Sequence, residues 1–196
     1  MKFVLASQNP GKLKEMSEIL DQFGVEVVQP SQLGLHVDVE ETGETFAENA
    51  MLKARAVCAA AGLPAVADDS GLCVDALNGG PGVYTARYGG EGLTEAQRYM
   101  LLLNALRGQT SRAAHFVSAI ACVFPNGDTI TAEGQAPGTI AFAPMGEGGF
   151  GYDPVFFVTD KAKTFAQLTQ EEKAEISHRG KALREFTTKL ETYLKK

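Results

Sequence analysis

The sequence predicts an α/β fold with a mixed central sheet flanked by helices. In the first half, short apolar runs at residues 3–6, 25–28 and 64–67 alternate with segments of helical periodicity. The stretch 114–143 is instead rich in Val, Ile, Phe and Thr, with Pro-Asn-Gly-Asp at 125–128, which is a hairpin signal. Alternating strands and helices favour parallel pairing and hairpins favour antiparallel pairing, so the predicted sheet is mixed.

The helices have recognisable boundaries. A first helix is predicted over 13–23, after the turn formers at 7–12 and before Gly24. Ser/Thr–x–x–Glu/Gln capping boxes predict the starts of three more helices, and they consist of Thr45 with Glu48, Thr94 with Gln97, and Thr169 with Glu172. The last helix is predicted to continue to Leu194, so that Lys173, Ser177, His178 and Arg179 share its first turns.

Composition limits the classes of function. The 196 residues suit a single domain over 1–196, and the formal net charge of -6 makes non-specific nucleic-acid binding unfavourable. Three cysteines, odd in number and far apart, indicate free thiols in a reducing compartment. Because no signal peptide or membrane-length apolar segment is found, we expect a cytoplasmic protein with no membrane partner.

The first candidate site is the turn Ser7-Gln8-Asn9-Pro10-Gly11-Lys12, where a strand leads into a helix. The free N–H groups and dipole of a helix start attract anions, and Lys12 adds a full positive charge. The segment is not a P-loop, because Ala6 and Leu13 stand where that motif needs glycine and a hydroxyl residue. A plain helix cap with a surface lysine is the structural alternative.

Carboxylates form the second candidate site. Asp68 and Asp69 follow the predicted strand 64–67, and two adjacent aspartates there repel each other unless a metal ion or a proton intervenes. Mg²⁺ binds through a few carboxylate oxygens and bridges to phosphates, and one of these aspartates could deprotonate a water. Glu40 and Glu41 precede the second helix, where they could simply complement its dipole.

Two later segments could contact a base. Residues 146–154 combine glycines with Phe150 and Tyr152, and an aromatic face on such a loop can stack on a nucleobase. A tight turn is the structural alternative. Lys173 and Arg179 place a cation pair near a helix start, against its dipole, which an anionic or carbonyl-rich ligand would explain. His178 could donate a hydrogen bond to a base.

These motifs resemble the non-canonical purine nucleoside triphosphate pyrophosphatases, which are also called inosine or xanthosine triphosphate pyrophosphatases. The matching segments occur in the family's order along the whole chain: 7–12, 40–43, 67–72, 81–88, 150–154 and 177–180. The likeness is greatest to the bacterial branch. One departure is Ser7-Gln8-Asn9, where members often have Thr-Gly-Asn.

The resemblance implies two lobes around a deep cleft, not independent domains, and a homodimer. It implies Mg²⁺-dependent hydrolysis of ITP, dITP and XTP to the monophosphate and pyrophosphate, which removes deaminated purines from the nucleotide pool. It implies Asp69 as the general base and Mg²⁺ ligand, with Glu40 as the second ligand and adjacent Glu41 as a rival. The implied substrate contacts are Ser7, Gln8, Asn9, Pro10, Gly11, Lys12, Lys53, Ser70, Phe150, Gly151, Tyr152, Asp153, Lys173, His178 and Arg179.

Two other functions share these features. A different phosphohydrolase, such as a Maf-like house-cleaning enzyme, would use the same lysine turn and carboxylates on other nucleotides. A nucleotide-binding sensor would bind without turnover. Nudix hydrolases are set aside, because their Arg-Glu-x-x-Glu-Glu pattern is absent from the sequence.

Overall fold

The computed structural model describes residues 1–195, with the side chains of Pro10 and Glu15 left out. It contains seven strands: β1 (Lys2–Leu5), β2 (Glu26–Val28), β3 (Ala65–Val74), β4 (Ala113–Val123), β5 (Thr129–Ile140), β6 (Phe156–Val158) and β7 (Lys163–Thr164). It contains five α-helices: α1 (Pro10–Asp21), α2 (Phe46–Ala61), α3 (Glu95–Ala105), α4 (Gln170–Ile176) and α5 (His178–Leu194). None of the helices described in residues 1–195 combines the length and the apolar character that a membrane span requires.

The strands form one sheet in the order β2-β1-β3-β4-β5-β6-β7. β1 pairs in parallel with β2 and with β3, whereas β6 pairs antiparallel with both β5 and β7. The sheet is therefore mixed, which confirms the fold class predicted from the alternation of patterns along the chain.

The chain forms two compact units. Unit 1 comprises Met1–Asp69, Ser118–Gly134 and the C-terminal stretch from Lys181 onward. Unit 2 comprises Ser70–Val117 and Gln135–Gly180. The predicted division into one domain with two lobes around a cleft stays a prediction.

Unit 1 has two apolar clusters. In the first, Phe3 and Leu5 of β1 pack with Leu20 of α1 and with Phe186 and Leu190 of α5. The second joins the small residues of α2 to Val4 and to Ala65 and Ala67 of β3. The alternating side chains of β1 thus enter different clusters, as the two faces of a strand require.

Unit 2 has its own core, in which aromatic rings predominate. Phe116, Phe156 and Phe165 are buried, and the Phe116 and Phe165 rings are stacked with centroids 5.8 Å apart. Leu102, Leu103 and Leu106 from α3 and the turn after it complete the cluster. This core lies beside the glycine-rich loop, α4 and the first turn of α5, which contain the predicted base contacts.

Two predicted boundaries were wrong. β3 continues through Asp68-Asp69-Ser70-Gly71 to Val74, although we expected the strand to end at Ala67. The last helical segment is also two helices, because Ser177 ends α4 in an extended conformation. Lys173 therefore lies on α4, whereas His178 and Arg179 begin α5.

Gly180 explains why the helical segment can be interrupted at Ser177. The Ser177 N–H donates to the Lys173 carbonyl and makes the last helical hydrogen bond of α4. The Ser177 Oγ accepts from the Gly180 N–H of α5. A Cβ at position 180 would lie 1.9 Å from the Ala174 carbonyl oxygen, so the close approach of the two backbones requires glycine here.

Candidate active site

The turn between β1 and α1 is closed by its own asparagine. Asn9 is the N-cap of α1, and its Oδ1 accepts from the N–H groups of Gly11 and Lys12, at 2.9 and 3.3 Å. Pro10 at the first helical position has no N–H, and its side chain lies outside the described residues. Asparagine is a preferred cap, and Asn9 satisfies these N–H groups in this structure. The predicted contacts of this helix start with phosphate stay predictions.

The rest of the turn is more accessible. Ser7 is half-buried and its Oγ accepts from the Asn9 N–H at 3.1 Å, whereas Gln8 is exposed. The Ser7 carbonyl accepts from the Gln29 side chain at 3.0 Å, so Gln29 supports the turn from the segment after β2. Sequence patterns did not indicate Gln29, because nothing in its local context differs from an ordinary loop residue.

Lys12 pairs with the first aspartate of β3. Its Nζ lies 2.9 Å from Asp68 Oδ2, and both side chains are largely buried. Because β1 and β3 are parallel neighbours, the residues after β1 and the continuation of β3 meet at one edge of the sheet. The sequence pattern singled out Asp68 only together with Asp69, and the structure shows Asp68 as the partner of Lys12.

Lys53 of α2 joins the other two carboxylates. Its Nζ lies 2.7 Å from Glu41 Oε1 and 3.2 Å from Asp69 Oδ1, and it also donates to the Asp68 carbonyl at 3.0 Å. We call Lys12, Glu41, Lys53, Asp68 and Asp69 the acidic–lysine cluster. These ion pairs, all of which lie in unit 1, bring Glu41, Asp68 and Asp69 together beside the Lys12 turn and do not include Glu40. The metal and catalytic roles assigned to this region stay predictions.

Charge and burial compete inside the acidic–lysine cluster. Burial raises the pKa of Asp69, Lys53 lowers it, and the nearby Glu41 carboxylate raises it again. Burial lowers the pKa of Lys53, but Asp69 and Glu41 together outweigh burial, so its pKa is raised and the ammonium stays charged. The two carboxylates are thus held close together by one shared cation.

The adjacent glutamates differ in their surroundings. Glu40 is exposed, whereas Glu41 is half-buried and bonded to Lys53. Over residues 1–195, no three His, Cys, Asp or Glu side chains converge on a common metal position. Mg²⁺ fits a pair of carboxylates all the same, since it keeps several waters and completes its shell with substrate phosphates.

In unit 2, the glycine-rich loop encloses Asp153. Asp153 is only 3% exposed, and its Oδ2 accepts from the Phe150 N–H at 2.9 Å and pairs with Lys173 Nζ. Gly149 has φ +73°, and a Cβ there would lie 1.9 Å from Asp153 Oδ2. Glycine is required because the backbone passes directly over this carboxylate. Burial raises the pKa of Asp153 although Lys173 acts in the opposite direction.

Aromatic rings and cations surround the same ion pair. Lys173 Nζ lies 5.0 Å from the Phe150 centroid, and the Arg179 guanidinium lies 5.9 Å from it. The His178 ring stacks on Phe116 at 4.7 Å. We call Phe116, Phe150, Phe165, Lys173, His178 and Arg179 the ring–cation cluster. Phe150, at 54% exposed, is its most accessible ring, which suits the expected stacking on a base.

The remaining residues predicted to contact the substrate differ in how buried they are. Tyr152 is buried, and its hydroxyl donates to the Thr85 carbonyl at 3.0 Å, so its ring belongs to the core of unit 2. Gly151 has φ +62° in the same loop, and Ser70 is a half-buried residue of β3. The substrate contacts assigned to these residues stay predictions.

Known proteins resemble this chain over its whole length. A family model described as the Ham1 family matches residues 3–189. A dITP/XTP pyrophosphatase from Exiguobacterium is 46% identical over 195 residues, which is 100% of both chains. A dITP/XTP pyrophosphatase from Thermus thermophilus is 50% identical over 94% of this chain and 89% of that protein.

Solved structures agree in fold. The Staphylococcus aureus Ham1 protein superposes with a TM-score of 0.93 at 44% identity, covering 98% of this chain and 100% of that one. A Mycobacterium abscessus protein named nucleoside-triphosphatase / dITP/XTP pyrophosphatase gives a TM-score of 0.82 at 47% identity, covering 94% of this chain and 97% of that one.

Proposed function

This chain belongs to the Ham1 family, and on that basis we propose that it hydrolyses the deaminated purine nucleoside triphosphates ITP, dITP and XTP. The products would be the nucleoside monophosphate and pyrophosphate, and the role would be to remove these nucleotides from the pool. The observation that carries the proposal is the acidic–lysine cluster, in which Lys53 joins Glu41 to Asp69 while Lys12 pairs with Asp68.

The triphosphate would be held in unit 1 by side chains rather than by helix-start N–H groups. Lys12 and Lys53 supply two positive charges, and the Ser7 hydroxyl and exposed Gln8 supply further donors. The N–H groups of Gly11 and Lys12 could join them only if the Asn9 side chain turned away. Both lysines already have carboxylate partners, so phosphate binding would exchange one set of anionic partners for another.

The donor set of unit 1 suits Mg²⁺. We assign the ion to Asp69 and one of the paired glutamates; the sequence resemblance selects Glu40, and the Lys53 contacts favour Glu41. When bound, Mg²⁺ would neutralise charge on the phosphate oxygens and act as a Lewis acid toward the reacting phosphate.

Asp69 is the proposed general base. Its Oδ1 accepts from Lys53, and we assign Oδ2 the proton of the attacking water. The water oxygen forms a bond to the α-phosphorus, the bond from that phosphorus to the bridging oxygen breaks, and pyrophosphate leaves. Lys12 and Lys53 would stabilise the charge that develops on the leaving group.

The ring–cation cluster of unit 2 would recognise the base. Phe150 offers an exposed face for stacking, and Lys173, His178 and Arg179 offer donors for a 6-oxo group. Adenine carries an amino group at that position and would leave such donors without partners, which is costly. Selection for inosine over adenosine triphosphates is the expected result.

The decisive experiment is a panel of triphosphates assayed for pyrophosphate release, with Mg²⁺ and with EDTA. We expect turnover of ITP, dITP and XTP well above that of ATP, and none in EDTA. Preference for other modified bases would favour a Maf-like activity, and tight binding without product would favour a nucleotide sensor. Equal turnover of ITP and ATP would contradict the proposed specificity.

Two further proposals concern assembly. We propose a homodimer, following the family resemblance, and sedimentation at several protein concentrations would test it. We also propose that nucleic acid is not a partner, since the net charge of -6 opposes contact with a phosphate backbone.

A further inference from the structure

Asn49 is an unusual residue for its position in α2. It is 0% exposed and is surrounded on its helix by buried Phe46, Ala50 and Ala54. Asparagine is a weak helix former, and a buried amide is unfavourable unless it is hydrogen-bonded. An apolar side chain would fit such a position more readily, so the bonds that Asn49 makes should explain its presence.

The amide of Asn49 holds a backbone group of the loop before α2. Its Oδ1 accepts from the Gly43 N–H at 2.8 Å, and this contact fixes the orientation of the amide because only the oxygen can accept. Its Nδ2 has no hydrogen-bond partner among the described residues. The contact is close: a Cβ on Gly43 would lie 2.7 Å from Asn49 Oδ1 and from the Glu48 Cβ.

The same face of α2 holds the loop at two points. Asn49 and Lys53 are four residues apart and therefore neighbours on the helix surface. Asn49 binds the backbone at Gly43, whereas Lys53 binds the carboxylate of Glu41 and also reaches Asp69. Glu41 is only two residues from Gly43, so moving Gly43 would move the glutamate.

We propose that Asn49 is a positioning residue, which holds the loop 40–43 so that a glutamate carboxylate stands beside Asp69 ready for a divalent cation. The proposal deepens the proposed function and depends on it for the identity of the cation and the substrate. Asn49 itself would act through the loop backbone and not through the reacting atoms.

Direct Mn²⁺ binding, followed by electron paramagnetic resonance without nucleotide, tests this role. Asn49→Leu keeps the volume and removes the acceptor, and we expect its Mn²⁺ dissociation constant to rise about 10- to 100-fold. Asn49→Asp keeps an acceptor oxygen for the Gly43 N–H, so its Mn²⁺ affinity should exceed that of Asn49→Leu. Val57→Ala, a core substitution on the same helix, should lower stability and leave Mn²⁺ affinity unchanged.

Gly43→Ala provides an independent variant should Asn49→Leu fail to fold. It keeps Asn49 but displaces the loop, so we expect the same loss of Mn²⁺ affinity. Wild-type affinity in either folded variant, or equal weakness of Asn49→Asp and Asn49→Leu, would overturn the proposal. Because the titration needs no turnover, a failure of Asn49 is distinguishable from a protein that does not cleave ITP.

Discussion

Asp68 and Asp69 are neighbours in the chain, yet each has its own lysine. Asp69→Asn should reduce ITP turnover by roughly 10²- to 10⁴-fold, because the proposed base is lost. Its stability should change little, since Lys53 keeps Glu41 as a partner. Steady-state pyrophosphate release and urea unfolding measure the two effects.

Asp68→Asn is the matched control for that variant. It leaves the largely buried Lys12 ammonium without its carboxylate, so we expect a stability loss of up to about 3 kcal/mol. The assignment of the base would fail if Asp69→Asn kept near-normal turnover, or if Asp68→Asn alone abolished it.

Substitutions can also show which of Glu40 and Glu41 is the metal ligand. Glu41→Gln should raise the Mg²⁺ concentration needed for half-maximal turnover by about tenfold or more, because Glu41 shares Lys53 with Asp69. Glu40→Gln should have a smaller effect, and Glu44→Gln, an exposed carboxylate of the same loop, should have none. A larger effect at Glu40 would restore the ligand that the family resemblance selects.

Because the Cys122 thiol is buried, we expect the free energy of unfolding to decrease at alkaline pH. Burial raises the pKa of Cys122 far above its usual value, so the thiol stays protonated in the folded state while it ionises in the unfolded state. The folded state then binds more protons, and stability falls as the pH rises above the unfolded pKa of about 8.5.

Cys122→Ala should remove part of this dependence. The difference should approach about 1.4 kcal/mol per pH unit above pH 9, as measured by urea unfolding at several pH values. Cys73 is half-buried, and Cys73→Ala should change the slope less. Identical slopes in the wild type and Cys122→Ala would exclude a buried thiol as the cause.

At the scale of elements, capping signals were reliable. Each box predicted from sequence is present: Thr45 with Glu48, Thr94 with Gln97, and Thr169 with Glu172. These boxes are local, since every bond joins residues at most three apart, and local chemistry is visible in a sequence. The break at Ser177 depends instead on how closely α5 can approach Ala174, which periodicity does not report.

The join between α4 and α5 should be intolerant of any side chain at position 180. Gly180→Ala would place a methyl group on the Ala174 carbonyl, and we expect a stability loss of about 2–4 kcal/mol by urea unfolding. Gly108→Ala is the control: it has φ +77° but open space around it, so it should cost about 1 kcal/mol. Equal losses would mean that the backbone contact is not limiting.

At the scale of the whole molecule, the mixed sheet could be predicted, but its details could not. The switch from parallel to antiparallel pairing follows from connection length, which is readable in the chain. Which of Glu40 and Glu41 is the metal ligand cannot be read from the sequence, because two adjacent glutamates of a loop differ only in the direction in which their side chains point. That direction is set by contacts of the folded chain, such as the bond from the Gly43 N–H to Asn49 Oδ1 and the ion pair of Glu41 with Lys53.

Lys53 also has a consequence for the protein as a whole, because it acts as a resident counter-ion for Glu41 and Asp69. Folding therefore does not have to wait for a metal, in contrast to small zinc domains that are unfolded without theirs. We expect nearly the same melting temperature in EDTA and in Mg²⁺, with turnover confined to Mg²⁺. A large drop in melting temperature on chelation would show that the Lys53 ammonium does not replace the metal ion in stabilising the folded protein.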